Sequence, residues 1–155
     1  MSDTVKIKKI AENRAARHEY HVVDSYEAGV ELYGTEVKSI RGGGVNLKDS
    51  WAAVEGGQLF AKHVHISPYE KGNIFNRDPM RDKRLLMHKR EIRKLHDQVK
   101  REGLTLIPLS MYFKGSRVKL QIGLCKGKKL HDKRDSIAKR EVDRKLDRVM
   151  KNQYR

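Results

Sequence analysis

Hydrophobic and polar residues alternate most regularly in the segment 105–127. Apolar residues occupy every second position on both sides of Lys114-Gly115-Ser116, namely Ile107, Leu109, Met111 and Phe113, then Val118, Leu120, Ile122 and Leu124. A period of two is typical of β-strands, and a short turn with glycine joins antiparallel neighbours. The pattern therefore predicts a hairpin that buries these residues and turns Arg117, Lys119 and Gln121 to the opposite face.

Two earlier regions also show strand-like alternation. Residues 18–32 alternate on both sides of Glu27-Ala28-Gly29, which predicts two strands with a bend or turn between them. Residues 45–54 and 58–66 flank Glu55-Gly56-Gly57, which predicts a second hairpin.

Helical patterns are fewer. Thr35 is a candidate cap for a short helix that ends at the glycines 42–44. Residues 67–83 combine Pro, Gly, Asn and charges without apolar periodicity, which predicts a long surface loop. From Leu85 to Gly103, apolar residues recur at helical spacing and predict one amphipathic helix.

About six strands with few helices predict a mainly β fold. We expect an OB-fold-like antiparallel β-barrel with about three helices, one of them in a basic C-terminal tail. A small β-sandwich is the alternative. The chain is divided accordingly into a basic N-terminal arm (1–17), the barrel (18–127) and the tail (128–155).

The tail has too little apolar surface to fold alone. Ala138, Val142, Leu146 and Met150 form a sparse stripe at i,i+4 spacing among 16 charged residues. So few apolar groups do not offset the entropy of ordering a 28-residue helix. We expect the tail to be disordered alone and helical on a partner. A helix docked permanently on the barrel is the alternative.

Charge indicates the class of partner. The chain carries 35 Lys and Arg against 20 Asp and Glu, a formal net charge of +15. Residues 18–70 are mildly acidic, and the excess of positive charge lies in 1–17, 71–127 and the tail. This uneven distribution predicts a face that binds the phosphate backbone of a nucleic acid. Because only ten residues are aromatic, recognition of RNA shape and backbone is favoured over base stacking.

Candidate chemistry is sparse. The single cysteine, Cys125, has no activating base near it in sequence, and no P-loop motif follows the glycines 42–44. The pairs His18/His21 and His63/His65 lack the accompanying ligands of a metal site. We therefore predict no catalytic residues, no metal and no cofactor.

Location is predicted from what the sequence lacks. The lone cysteine and the polar first residues predict a cytoplasmic protein. The sequence contains no apolar run of about 20 residues, so we expect no membrane-spanning helix.

Several motifs resemble the small protein B family, also called SsrA-binding proteins. They are NRAARHEY (13–20), EAGV (27–30), GTEVKSIR (34–41), RDKRLL (81–86), REG (101–103), KGKKLHDKR (126–134) and MKN (150–152). The motifs cover nearly the whole chain in the family's order, and several contain five or more residues.

The resemblance implies an OB-fold-like barrel that binds the tRNA-like domain of transfer-messenger RNA and brings it to stalled ribosomes for trans-translation. It implies that the tail forms a helix in the empty mRNA channel of the small subunit and reaches the decoding centre. A monomer without a membrane partner is expected.

The resemblance also implies the site residues. The RNA-binding candidates are Asn13, Arg14, Arg17, Glu27, Gly29, Leu86, Lys119, Lys126 and Lys128. The tail residues expected to contact the ribosome are His131, Asp132, Lys133 and Arg134. Glu27 and Leu86 have an alternative role in the fold itself, since a carboxylate is unusual at an anion site and a leucine is usual in a core.

Two other function classes stay open at this point. A general ribosomal or ribosome-assembly protein would share the charge and the fold without needing the tail. An RNA-modifying or RNA-cleaving enzyme would use Glu27 and the histidines.

Overall fold

The computed structural model describes residues 6–72 and 76–128. Over these residues the elements are β1 (Ile7–Glu12), α1 (Arg14–Glu19), β2 (Tyr20–Val30), α2 (Gly34–Arg41), β3 (Val45–Asn46), β4 (Trp51–Glu55), β5 (Gln58–Lys62), β6 (His65–Ile66), β7 (Lys83–Leu86), α3 (Lys89–Glu102), β8 (Thr105–Lys114) and β9 (Arg117–Gly127). The fold is mainly β, as the sequence predicted.

Six antiparallel strands close into a ring. Each strand pairs with the next in the order β8, β4, β5, β7, β2 and β9, and β9 returns to β8. The seventh strand, β1, lies along the second half of β8, and β3 and β6 form a separate two-stranded ladder. Closure removes the sheet edges at the paired positions, which is the defining feature of a barrel.

The predicted β8–β9 hairpin is confirmed and supplies much of the core. All eight of its alternating apolar residues are at most 8% exposed. A shift in register between Pro108 and Ser110 divides β8 into two parts. Met111 and Phe113 face the main core, whereas Ile107 and Leu109 pack with Ala16 of α1 and with Cys125 in a smaller cluster.

The other predicted hairpin is also present, as β4 and β5. Gly56 and Gly57 connect these strands with φ of +58° and +76°. Positive φ at both central positions is what the preferred two-residue hairpin turn requires, and glycine adopts it without steric cost.

Residues 7–32 differ from the predicted pattern. The described part of the predicted N-terminal arm forms β1 and α1, so it belongs to the folded domain. Residues 20–30 form one long strand, where two strands were predicted. A bulge between Val22 and Asp24 shifts the register of β2 against β9, which disturbs the alternation along the strand.

The start of the amphipathic helix was also predicted wrongly. Leu85 and Leu86 lie in β7, and α3 begins at Lys89. The rest of the prediction holds, because Ile92 and Leu95 are buried and the helix ends at Gly103 with φ +64°.

The loop between β6 and β7 is tied to α2. Arg81 donates through Nε to Glu36 Oε2 at 2.9 Å, and Asn76 exchanges two hydrogen bonds with the backbone of Tyr69. At the end of the loop, Lys83 is buried and donates to the carbonyl oxygens of Val64 and Pro79. Burial lowers the pKa of this amine to about 8.

Candidate nucleic-acid interface

Four of the predicted RNA-binding residues meet at one pocket, which we call the junction pocket: Glu27, Gly29, Leu86 and Lys119. They come from three strands, because Gly29 of β2 pairs with Leu86 of β7 on one side and with Lys119 of β9 on the other. The strand pairing therefore places side by side residues that lie far apart in the sequence.

Gly29 forms the closely packed centre of the junction pocket. A Cβ atom at this position would lie 3.3 Å from the Cβ of Leu86 and 3.7 Å from Nζ of Lys119. The first distance is tighter than ordinary van der Waals contact, and the second places the ammonium group directly over the glycine. The absence of a side chain thus gives a ligand close access to the backbone between a cation and an apolar group.

Leu86 is a surface residue of this pocket. Its side chain is 49% exposed, whereas the preceding Leu85 is 1% exposed in the core. Alternation along β7 explains the difference, because neighbouring strand residues face opposite sides of the sheet. Leu86 is therefore available for contact with a partner.

Glu27 has a defined hydrogen-bonding environment. The hydroxyl of Tyr112 donates to Oε2, and Nζ of Lys114 donates to Oε1 at 3.2 Å. The hydrogen bond from Tyr112, followed by that from Lys114, holds the pKa of the Glu27 carboxyl below its ordinary value. Burial and the same contact raise the pKa of Tyr112. The carboxylate stays ionised at neutral pH and remains exposed enough to accept further hydrogen bonds.

The sequence did not single out Tyr112 and Lys114. Both alternate with the buried Met111 and Phe113, so they lie on the outer face of β8, and Tyr112 pairs with Lys119. The regular alternation of β8 was the available signal for this face.

The remaining predicted cations lie in α1 or at the end of β9, at the other end of the ribbon that β2 and β9 form. We call them the helix-cap cluster: Arg14, Arg17, Lys126 and Lys128. Nζ of Lys128 donates to the carbonyl oxygen of Arg17 at 3.2 Å, and the Lys128 backbone N–H donates to Glu19. Arg17 also lies 3.6 Å from a carboxylate oxygen of Glu12. The end of β9 is thus fixed against α1.

Asn13 is buried beneath the helix-cap cluster. Its Oδ1 accepts from the N–H of Ala16, and its Nδ2 donates to the carbonyl oxygens of Leu47 and Pro108 at 3.1 and 3.0 Å. Only 4% of the residue is exposed. Its visible role is to cap α1 and to attach it to the barrel, which positions Arg14 and Arg17. Direct contact of Asn13 with RNA stays a prediction.

The two groups lie at opposite ends of one ribbon. Lys126 follows Lys119 by seven positions along β9. At about 3.3 Å per residue, their Cα atoms are at most about 23 Å apart. The predicted residues therefore fall into two separate groups, and one partner could reach both only if it were a large molecule.

In the part of the chain that is described, the histidines and the cysteine form neither a metal-binding cluster nor an activated nucleophile. Across residues 6–72 and 76–128, no three His, Cys, Asp or Glu side chains are grouped closely enough to hold a metal ion. His63 lies against Trp51, with ring centroids 4.4 Å apart. Burial raises the pKa of the Cys125 thiol to about 11, which disfavours the nucleophilic thiolate.

The predicted ribosome contacts His131, Asp132, Lys133 and Arg134 lie outside the described residues. None of the described helices is long and apolar enough to cross a membrane.

Comparisons with known proteins agree on one family. The family model described as SmpB protein matches residues 10–152. An SsrA-binding protein of Carboxydothermus hydrogenoformans is 54% identical over 147 residues, which are 95% of this chain and 99% of that protein. One of Enterococcus faecalis is 53% identical over 148 residues, 96% of each.

A solved structure supports the same relationship. A chain from the work described as "tmRNA-SmpB: a journey to the center of the bacterial ribosome" is similar with a TM-score of 0.67 and 44% sequence identity. The match covers 83% of this chain and 94% of that one.

Proposed function

Because the chain belongs to the SmpB protein family, we propose that it binds the tRNA-like domain of transfer-messenger RNA and delivers this RNA to stalled ribosomes for trans-translation. Its relatives are named SsrA-binding proteins, and the similar solved chain is tmRNA-associated and ribosomal by its description. A protein with this partner works where ribosomes are, in the cytoplasm.

The observation that carries the RNA-binding part is the convergence of Glu27, Gly29, Leu86 and Lys119 in the junction pocket. The family resemblance selected these residues individually, and the strand register brings them together independently of that choice. In the proposed role, Lys119 contacts a phosphate and Leu86 packs on a sugar or base. Glu27 accepts from a base amino group or a 2′-hydroxyl.

Two contact regions up to about 23 Å apart fit recognition of a folded RNA by its shape and backbone. The helix-cap cluster supplies positive charge at one end, and the junction pocket supplies a close fit at the other. This division follows the general rule that contacts to phosphates position a nucleic acid, whereas contacts to its bases distinguish one sequence from another.

The proposed role requires binding and no chemical step. The SsrA-binding relatives are named for binding, not for a reaction. We therefore propose that the protein is an adaptor and not an enzyme.

RNA recovered with the protein separates this role from that of a general ribosomal protein. We expect sequencing of RNA that co-purifies from cells to show strong enrichment of one tRNA-like species. A broad spectrum of ribosomal RNA without such enrichment would instead support the ribosome-assembly role.

For residues 128–155 we propose a separate task, namely probing the empty mRNA channel and the decoding centre through His131, Asp132, Lys133 and Arg134. The structure suggests a suitable truncation point after Lys128, since this residue is bonded to Arg17 and belongs to the folded domain. The truncated protein is expected to bind isolated transfer-messenger RNA within about threefold of the full chain, because the junction pocket and the helix-cap cluster remain.

The same truncation is expected to abolish peptide tagging on stalled ribosomes. A truncated protein that loses RNA binding would show that the tail and the barrel do not have separate tasks.

A further inference from the structure

A cationic cleft lies between the start of α2 and the loop that connects β6 to β7. We call it the loop cleft, and its volume is about 410 Å³. The residues that line it include Tyr33, Lys38, Tyr69, Lys71 and Arg77. None of these residues is among the RNA-binding candidates that the family resemblance supplied. A cleft of this volume is within the range that accommodates a nucleotide-sized group.

The cations of the loop cleft have no carboxylate partners among the described residues. The guanidinium carbon of Arg77 lies 3.9 Å from the centroid of the Tyr33 ring, and Nζ of Lys38 lies 5.5 Å from that of Tyr69. These contacts with aromatic faces orient the cations without neutralising them. A guanidinium that stacks on a ring keeps its N–H edge free for the two oxygens of a phosphate.

Two acidic groups of the flanking elements are already engaged, and the exposed Glu70 is not among the described lining residues. Glu36 accepts from Arg81 and from the backbone N–H of Tyr33. Asp78 accepts from the backbone N–H of Met80 at 2.8 Å. Among the described residues, none that lines the cleft is acidic. An anion placed there would meet three positive charges and no repelling carboxylate in the lining.

The cleft is held in shape before any ligand binds. The two hydrogen bonds between Asn76 and the backbone of Tyr69 measure 3.0 and 2.8 Å and close the loop on itself. The N–H of Gly72 donates to Tyr69 O at 2.8 Å, and Arg81 attaches the loop to α2 through Glu36. These hydrogen bonds fix Tyr69, Asn76 and Arg81, which flank the cleft, relative to one another and to α2.

The loop cleft is close to the junction pocket along the chain. Tyr33 follows Gly29 by four residues, so their Cα atoms are at most about 14 Å apart. An RNA seated on Lys119 and Gly29 therefore has further phosphates within reach of Arg77. This continuity favours nucleic acid over a small free anion as the occupant.

We propose that the loop cleft is an additional RNA-binding site, in which Arg77 binds a backbone phosphate and Lys38 and Lys71 flank it. This inference rests on the proposed RNA-binding function and extends its surface beyond the junction pocket. The phosphate belongs to an RNA backbone, which both transfer-messenger RNA and ribosomal RNA can supply.

The test is the double variant Lys71→Ala/Arg77→Ala in the full chain, with Lys48→Ala as control, since Lys48 is an exposed cation outside the cleft. Affinity is measured over a series of salt concentrations, once with the isolated tRNA-like domain and once with stalled ribosomes. We expect about tenfold weaker binding at physiological salt and a salt slope smaller by about 1 in one of the two arms. The arm that changes identifies the source of the phosphate.

Unchanged affinity and slope in both arms would overturn the proposal. Failure of the proposed function gives a different result, because the wild-type protein would then show no preference for the tRNA-like domain over an unrelated RNA of equal length.

Tyr33 tests how the cleft works. Tyr33→Leu removes the ring under Arg77, and we expect RNA binding to weaken about threefold to fivefold. Tyr33→Phe keeps the ring, and we expect wild-type affinity. The backbone N–H that donates to Glu36 is present in both variants. Equal losses in the two variants, or none in Tyr33→Leu, would contradict a role for stacking.

Discussion

The two ends of the β2–β9 ribbon offer a partner two physically different surfaces. In the junction pocket, Gly29 leaves the backbone open between Leu86 and Lys119, and the charge is balanced locally by Glu27. In the helix-cap cluster, the cations lie on a short helix and a strand end that Asn13 and Lys128 fasten together. We therefore propose that the first end recognises RNA by shape and close approach, whereas the second attracts it by charge.

This difference leads to distinct expectations under salt. Contacts between cations and phosphates weaken as salt rises, because the counterions that binding releases gain less entropy when the bulk salt concentration is higher. Steric fit at a glycine is insensitive to salt. Changes at the two ends should therefore be separable in the same binding assay.

The largest expected effect concerns the support of the helix-cap cluster. Asn13→Ala removes the cap of α1 and leaves two buried carbonyl oxygens, those of Leu47 and Pro108, without their donor. We expect the free energy of unfolding to fall by about 3 kcal/mol. Urea denaturation measures it, with the exposed Asn46→Ala as control, where the loss should be about 0.5 kcal/mol. A loss below about 1 kcal/mol for Asn13→Ala would show that α1 is held by other contacts.

The next effect tests close approach in the junction pocket. Gly29→Val places a branched side chain between Leu86 and Lys119, and RNA binding should weaken about 30-fold, equivalent to one good contact. Most of the loss should persist at high salt because it is steric, and only the part that comes from displacing Lys119 from its phosphate should shrink. Gly127→Val is the matched control on the same ribbon, because a Cβ there has nothing within 4 Å. Equal losses for the two variants would mean that shape matters at both ends.

A smaller effect is expected from charge in the helix-cap cluster. Lys126→Ala/Lys128→Ala removes two cations, so RNA binding should weaken about tenfold at physiological salt and the salt slope should fall by about 1.5. The single variant Lys126→Arg keeps the charge and should bind as the wild type does. A loss that persists unchanged at high salt would contradict an electrostatic role for this end.

The smallest effect concerns Glu27 and pH. Because the pKa of Glu27 is lower in the folded protein than its ordinary value of 4.5, its contribution to stability is complete above pH 4.5 and is lost as pH falls through the folded pKa. The group is partly exposed, so the contribution is about 0.5 kcal/mol. Comparison of wild type with Glu27→Gln should give a constant difference in unfolding free energy between pH 5 and 8. If the difference in unfolding free energy between wild type and Glu27→Gln grew below pH 4.5, the predicted direction of the pH dependence would be wrong.

The fold was predictable wherever alternation was regular. The β8–β9 hairpin and the turn at Gly56-Gly57 followed from local pattern, since each strand buries one face and glycine supplies positive φ. The strand β2 was not predicted as one element because Glu27-Ala28-Gly29 resembles a turn in sequence, whereas in the structure these residues pair with β9 without interruption. The strand β7 was missed because Leu85 also fits the helical spacing of the residues that follow it.

The site was predictable only in part. Motif resemblance supplied Glu27, Gly29, Leu86 and Lys119 as separate candidates but left open whether Glu27 and Leu86 served the fold. The structure shows Leu86 exposed and Glu27 held by Tyr112 and Lys114. For Asn13 it shows a buried structural role that sequence alone did not indicate.

The sequence by itself determined the net charge, the hairpins and the family, because these depend on composition, on short-range periodicity and on the order of motifs. Only the tertiary structure decided which residues share a surface. Gly29 meets Leu86 and Lys119 through the pairing of three strands that are remote in the chain. That register is set by hydrogen bonds and core packing summed over the whole barrel, so no local pattern encodes it.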